Sequence, residues 1–187
     1  MPIADKATIK QRIRNPMTDG DLERNTGIKS SEIIKYADLK NYNTITDLLP
    51  KEKDYKIILI EDRYNSGHWV CVLRDGKYIS YFNSYGAKYD TDWKFINRMT
   101  RMILGENTNE MTRLIDGAIK DGFTVEWNHH KYQRIGDAIQ TCGRHCVMRI
   151  ECSKMGYTKN ADYNKLMDKL KAETGGDADY TVSAYVA

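Results

Sequence analysis

The sequence predicts an α+β domain, a mixed or antiparallel sheet packed on helices. Three observations carry that class. Apolar, β-branched runs between residues 56 and 84 are separated by tight-turn signals. Helical periodicity takes over beyond residue 92. The 187 residues, 41% hydrophobic and 29% charged, suffice for one cored domain rather than a disordered chain.

Residues 1–18 are polar and basic without a sustained period and read as an N-terminal arm. Asp19–Arg24 and Ser30–Tyr36 read as short helices, and Thr44 or Thr46 as the cap of a turn ending at Pro50. Lys56–Asp62 suits a buried strand, Tyr64–Gly67 a turn, and His68–Arg74 a second strand. Asp75-Gly76 is a two-residue hairpin signal, after which Lys77–Ser84 forms a third strand ended by Tyr85-Gly86. Asp92 is expected to cap a helix to about Leu104, with Phe95, Ile96, Met99 and Ile103 on one face. Asn107 or Asn109 caps the next, where Met111, Leu114, Ile115, Ala118 and Ile119 follow the helical period until Gly122. Phe123–Asn128 reads as a strand and His129–Gln140 as a polar loop. Cys142 opens a helix to about Lys154; a last helix spans Asn160–Ala172, with Ala161, Leu166, Met167 and Leu170 as its apolar positions. Gly175-Gly176 then leaves an exposed, β-prone tail, 177–187.

Composition excludes several classes. No apolar run approaches a membrane span, and the first residues lack the apolar core of a signal peptide. A soluble protein from a reducing compartment is expected, its four cysteines free thiols. The net charge of +3 permits contact with nucleic acid without arguing for it.

The chemistry centres on Thr141-Cys142-Gly143-Arg144. A cysteine opening a helix meets free N–H groups and a positive dipole end, which lower a thiol pKa and favour the nucleophilic thiolate. Cys71, Cys146 and Cys152 lie among apolar residues and read as buried thiols. His68 begins a strand and Asn83 ends its hairpin neighbour. Positions equidistant from a turn centred between 75 and 76 pair across the strands, and 68 and 83 are such a pair. An Asn accepting from an imidazole N–H holds its tautomer, as Cys-His-Asn catalysis requires. Each residue alone has an ordinary reading: a surface histidine, a turn asparagine, a structural cysteine. A zinc site from His129, His130, Cys142, His145 and Cys146 competes, but their spacing diverges in regular structure.

Ser66-Gly-His-Trp-Val, Tyr81-Phe-Asn-Ser-Tyr-Gly, a glutamine-bearing loop and Thr141-Cys-Gly-Arg-His-Cys follow one another in an order that resembles the adenain-like and ubiquitin-like-protein-specific cysteine proteases. The look is nearest to their capsid-maturation branch in virophages, Polinton-type elements and large DNA viruses, and spans about residues 56–155. The resemblance implies a rearranged papain-like core in a single protease domain, 1–187. It implies Cys142 as nucleophile, His68 as base and then acid, Asn83 as its orienting group, and a glutamine joined by the Cys142 N–H as oxyanion donor. Gln133 is preferred for that donor, with Gln140 as the alternative. Trp69 and Gly143 are expected at the substrate, although a core role for Trp69 stays equally open. Many relatives carry Asp where this chain has Asn83.

The expected function is therefore a cysteine endopeptidase cleaving viral capsid or scaffold proteins at glycine-containing sites, without a cofactor or metal. It is expected as a monomer, free of membranes, at the assembly site in the host-cell cytoplasm and inside the virion. A DNA or peptide activator is allowed for. The alternatives are a protease or isopeptidase acting on ubiquitin-like modifiers, an acyltransferase on the same triad, and a non-enzymatic capsid- or DNA-binding module. Gly176-Asp177, in the tail expected to be exposed, is a candidate self-cleavage site.

Overall fold

A computed structural model describes residues 3–29, 32–91, 96–136 and 138–187. The chain runs α1 (Lys6–Arg14), α2 (Asp19–Thr26), β1 (Ile33–Lys35), a 3-10 helix (Tyr36–Asn41), α3 (Ile45–Leu48), β2 (Lys53–Arg63), β3 (Ser66–Asp75) and β4 (Tyr78–Phe82). It continues through α4 (Arg98–Leu104), α5 (Glu110–Lys120), β5 (Thr124–Trp127), α6 (Cys142–Lys154), α7 (Asn160–Thr174) and α8 (Ala178–Tyr185). The fold is α+β: a five-stranded sheet in the order β1-β2-β3-β4-β5. β2, β3 and β4 are antiparallel, and the two edge strands join in parallel.

Both faces of the sheet are buried, which explains the unbroken apolar run in β2. Ile57 and Leu59 join Trp69, Cys71 and Phe82 under α6 and α8, while Ile58 and Ile60 join Val70, Val72 and Ile79 under α5. Arg149 crosses the α6 core fully buried, bonding the Tyr157 and Thr158 carbonyls and the Ser80 hydroxyl. Those partners offset the cost of burying its charge. Among the described residues, no helix is long and apolar enough to cross a membrane.

Five expectations are corrected. Residues 1–18 are no loose arm, since α1, capped by Asp5, buries Ile9 and ties to α8 through Ala4 N–H to Ala184 O at 3.1 Å. Within 30–36, Ile33–Lys35 is a strand rather than helix, because its Ile-Ile pair meets the open edge of β2 in register with Ile57 and Ile58. The expected cap Asp92, with Phe95, lies outside the described residues; α4 is capped by Asn97 and leaves Met99 and Ile103 exposed. In α5 and α7 single expected positions fall outside the buried stripe, Ile119 and Ala161 being exposed; in α7 Tyr163 and Met167 are buried and Leu166 and Leu170 pack against the same core as expected. Finally, the tail is the helix α8, with Asp177 accepting from the Tyr180 N–H at 2.9 Å and Val182 and Ala184 buried. Its β-branched residues make it β-prone, but core burial of one helical face overrides that preference.

The hairpin register also differs. Asp75 pairs Tyr78 and Cys71 pairs Phe82, so the two-residue loop is Gly76-Lys77, with Gly76 at φ 59°. The shift is two residues, and a two-residue shift keeps every side chain on its face.

Because α8 is built into the core, a chain ending at Gly176 should lose the burial of Val182, Ala184 and Val186, at about 1.5–3 kcal/mol for a large apolar side chain. Urea unfolding should place its midpoint well below that of the full chain.

Candidate active site

β3 and β4 bring the candidate histidine and asparagine together. His68 Nε2 lies 3.0 Å from Asn83 Oδ1. The Tyr85 N–H donates to the same oxygen at 3.0 Å, which settles which end of the amide faces the ring. His68 therefore donates through Nε2, and Nδ1 keeps the lone pair that a base needs. Tyr85, in the turn that follows β4, stacks on the imidazole, ring centroids 4.6 Å apart. The β3–β4 ladder ends at Cys71 and Phe82, so Asn83 meets His68 from just beyond the strand and not as its cross-strand partner.

Asn83 is itself held. Its backbone N–H donates to Asn128 Oδ1 at 2.8 Å and its carbonyl accepts from Asn128 Nδ2 at 2.7 Å. Asn128, 1% exposed, was missed by sequence reading; a side-chain amide copying a strand partner leaves no local signal. Next to it, Ser84 Oγ donates to Gln133 Oε1 at 2.7 Å, while Gln133 Nε2 donates to the Ile139 carbonyl at 3.2 Å. Gln133 is thus buried and fixes the loop that leads to the cysteine. Gln140 is half-buried, its backbone N–H bonded to the Ile13 carbonyl at 2.7 Å.

Cys142 opens α6 as expected, and α6 packs on β3. Burial pushes the Cys142 thiol up, although the N–H groups of Trp69, Gly143 and Cys142 bond the sulfur and pull the other way. The acidified thiol expected from the helix start is therefore not what the fold produces. Burial also holds His68 down to about 4, against the raising effect of its bond to Asn83. Imidazole and thiol both rest neutral. Among the described residues no hydrogen bond joins them; the thiol's neighbour on β3 is the N–H of Trp69, one residue from the ring. Hydrogen bonds of catalytic groups commonly close only on substrate. Cys71, Cys146 and Cys152 are free and wholly buried, as expected, and burial pushes Cys152 up to about 12.

Trp69 is 6% exposed and its indole N–H donates to the Met17 carbonyl at 3.2 Å. It is a core residue at the site's edge. Met17 also lies on Gly143: a Cβ there would stand 2.9 Å from the Met17 Cβ, so only glycine fits. Arg144 completes the contact by donating to the Asn15 carbonyl at 2.7 Å. The segment between α1 and α2 thus roofs the first turn of α6. Of the zinc alternative's residues, His129 packs on Trp127 and His145 bonds Asp179. Among the described residues no three His, Cys, Asp or Glu side chains converge on a metal position.

No family model matches the chain. Over 121 residues it is 34% identical to "Uncharacterized protein V9" of Sputnik virophage, a match covering 64% of this chain and 67% of that protein.

The depressed His68 pKa has a consequence for stability. The unfolded histidine takes its proton near the ordinary value of 6.5 and the folded one only near 4. Stability is thus intact above pH 6.5 and falls as pH drops from 6.5 toward 4. The loss should be about 2 kcal/mol, and His68→Gln should remove most of it, as read by urea unfolding at pH 7 and pH 4.5. In the wild type, the His68 ring signals should titrate below pH 5 by NMR.

Proposed function

The chain belongs to the family of that virophage protein, and from this premise we propose that it is a cysteine endopeptidase of virion maturation, cleaving capsid or scaffold proteins at glycine-containing sites. The observation that carries the reading is the His68–Asn83 bond, with Nδ1 left as base, beside a cysteine that opens a buried helix among three N–H groups.

Both groups rest neutral, so attack begins from a thiol. As the Cys142 sulfur bonds the scissile carbonyl carbon, its proton passes to His68 Nδ1, and Asn83 keeps the ring oriented while it is charged. The oxyanion takes the Cys142 N–H and a second donor. We assign that donor to Gln133, whose NH₂ group spends one N–H on Ile139 and has a second to give. His68 returns its proton to the leaving amine, and water then hydrolyses the thioester with His68 as base. The preference for glycine is what the resemblance to the capsid-maturation proteases implies; Trp69, Gly143 and Met17 themselves are buried against one another. The proposed setting is the assembly site and the virion interior. DNA or a peptide as activator is compatible with the +3 charge.

Incubation with virion proteins, followed by mapping of new termini by mass spectrometry, should yield cuts beside glycine, absent with Cys142→Ala. A wild-type protein that cuts no virion protein, or a Cys142→Ala protein that still does, would overturn the reading. His68→Ala should be as damaging as Cys142→Ala, because triad members act as a unit. Asn83→Ala should cost less, and Asn83→Asp should keep substantial activity. Loss of one oxyanion donor costs about 10²–10³ in kcat, expected for Gln133→Ala and to a smaller degree for Gln140→Ala; the reverse ranking would move the role to Gln140.

A further inference from the structure

The C-terminal helix reaches into the site. Asp179, fully buried on α8, spans two elements with one carboxylate. Its Oδ1 accepts from the Thr141 hydroxyl at 2.5 Å and from His145 Nε2 at 3.1 Å. Its Oδ2 accepts from the Arg134 backbone N–H at 3.0 Å and from Arg134 Nε at 3.2 Å. Thr141 directly precedes Cys142, His145 follows it by one helical turn, and the His145 N–H closes that turn on the Thr141 carbonyl at 2.9 Å. Arg134 adjoins Gln133. The carboxylate therefore holds both ends of the nucleophile's turn and the loop of the proposed oxyanion donor.

A negative group at a helix start normally binds the free N–H groups there. Asp179 instead takes side chains of α6 and a loop N–H. The N–H groups of Cys142 and Gly143 are left to the sulfur. Burial alone raises the Asp179 pKa, but the bonds from His145 and Thr141 bring it below the usual carboxylate value, so the group is ionised. Its own position is set from the N-terminus: Arg12 donates to the Ser183 carbonyl at 3.1 Å and Ala4 to that of Ala184.

We propose that Asp179 is a positioning residue for Cys142 and Gln133, aligning the first turn of α6 with the loop beside it. The proposal rests on the protease reading for its effect on turnover. Its effect on the thiol is independent of that reading.

The test uses the full-length Asp179→Asn protein and two readouts. The first is the pH profile of Cys142 alkylation by iodoacetamide, followed by peptide mapping, which needs no substrate. A loosened turn weakens the N–H bonds to the sulfur, so the midpoint should move up by about one pH unit. The profiles of Cys71, Cys146 and Cys152 should stay as in wild type. A residue that merely stabilises the fold would lower the melting temperature and leave the midpoint in place. An unchanged midpoint overturns the proposal, and so does a lower one, which would mean that the carboxylate acts only as a charge. The second readout is hydrolysis of a fluorogenic Gly-Gly coumarylamide peptide well below the melting temperature. There kcat should fall about 10²-fold, as for a displaced reacting group, with KM within about twofold. A loss carried by KM alone would overturn the proposal. Should Asp179→Asn fail to fold, Thr141→Val removes the 2.5 Å bond alone and should shift both readouts the same way. If wild type leaves the peptide and virion proteins intact while the midpoint still shifts, the protease reading falls and the positioning of Cys142 stands.

Discussion

The bond between His68 Nε2 and Asn83 Oδ1 is the interaction on which the rest of the site depends. It determines which imidazole nitrogen is free, and so which direction the ring can take a proton from. The bond in turn requires Asn83 to be rigid just beyond the hydrogen-bonded end of β4. Asn128 supplies that rigidity by bonding both backbone groups of Asn83, as another strand would. Gln133 and Ser84 extend the clamp one residue further. The chain's polar residues are spent heavily here because a strand end beyond its ladder has backbone groups to satisfy.

Burial sets the electrostatics. A Cys⁻/His⁺ pair needs either solvent or a nearby anion to hold the imidazolium, and this pocket offers a neutral amide. Desolvation therefore pushes the thiol up and the imidazole down together. In the proposed mechanism, reactivity arises when substrate joins the two groups, with Asn83 orienting rather than neutralising the ring.

The two ends of the chain frame this centre. α2 and the Asn15–Met17 segment lie on α6 from one side, while α1 packs on α8, which holds the first turn of α6 from another. The buried charges in the frame, Asp179 and Arg149, are each surrounded by several donors or acceptors, as burial of charge demands.

Local pattern was enough for β2, β3, β4, α5, α6 and α7, because alternation, turn residues and a 3.6-residue period are properties of neighbouring residues. It was also enough to nominate His68, Asn83 and Cys142. The pairing of the first two was read from a turn misplaced by one position on each strand. It survived because strand faces repeat every two residues, so the slip left both side chains on one face. What local pattern missed is long-range. Ile33–Lys35 became a strand because β2 had an open edge, and 177–187 became a helix because the core had room for one apolar face. Asn128 and Asp179 act across 45 and 38 residues of chain, through contacts that no periodicity encodes. The sequence by itself determined the α+β class, the cysteine at a helix start and the face shared by His68 and Asn83. Only the tertiary structure decided the charge state of that pair, because desolvation depends on what the whole fold lays over them.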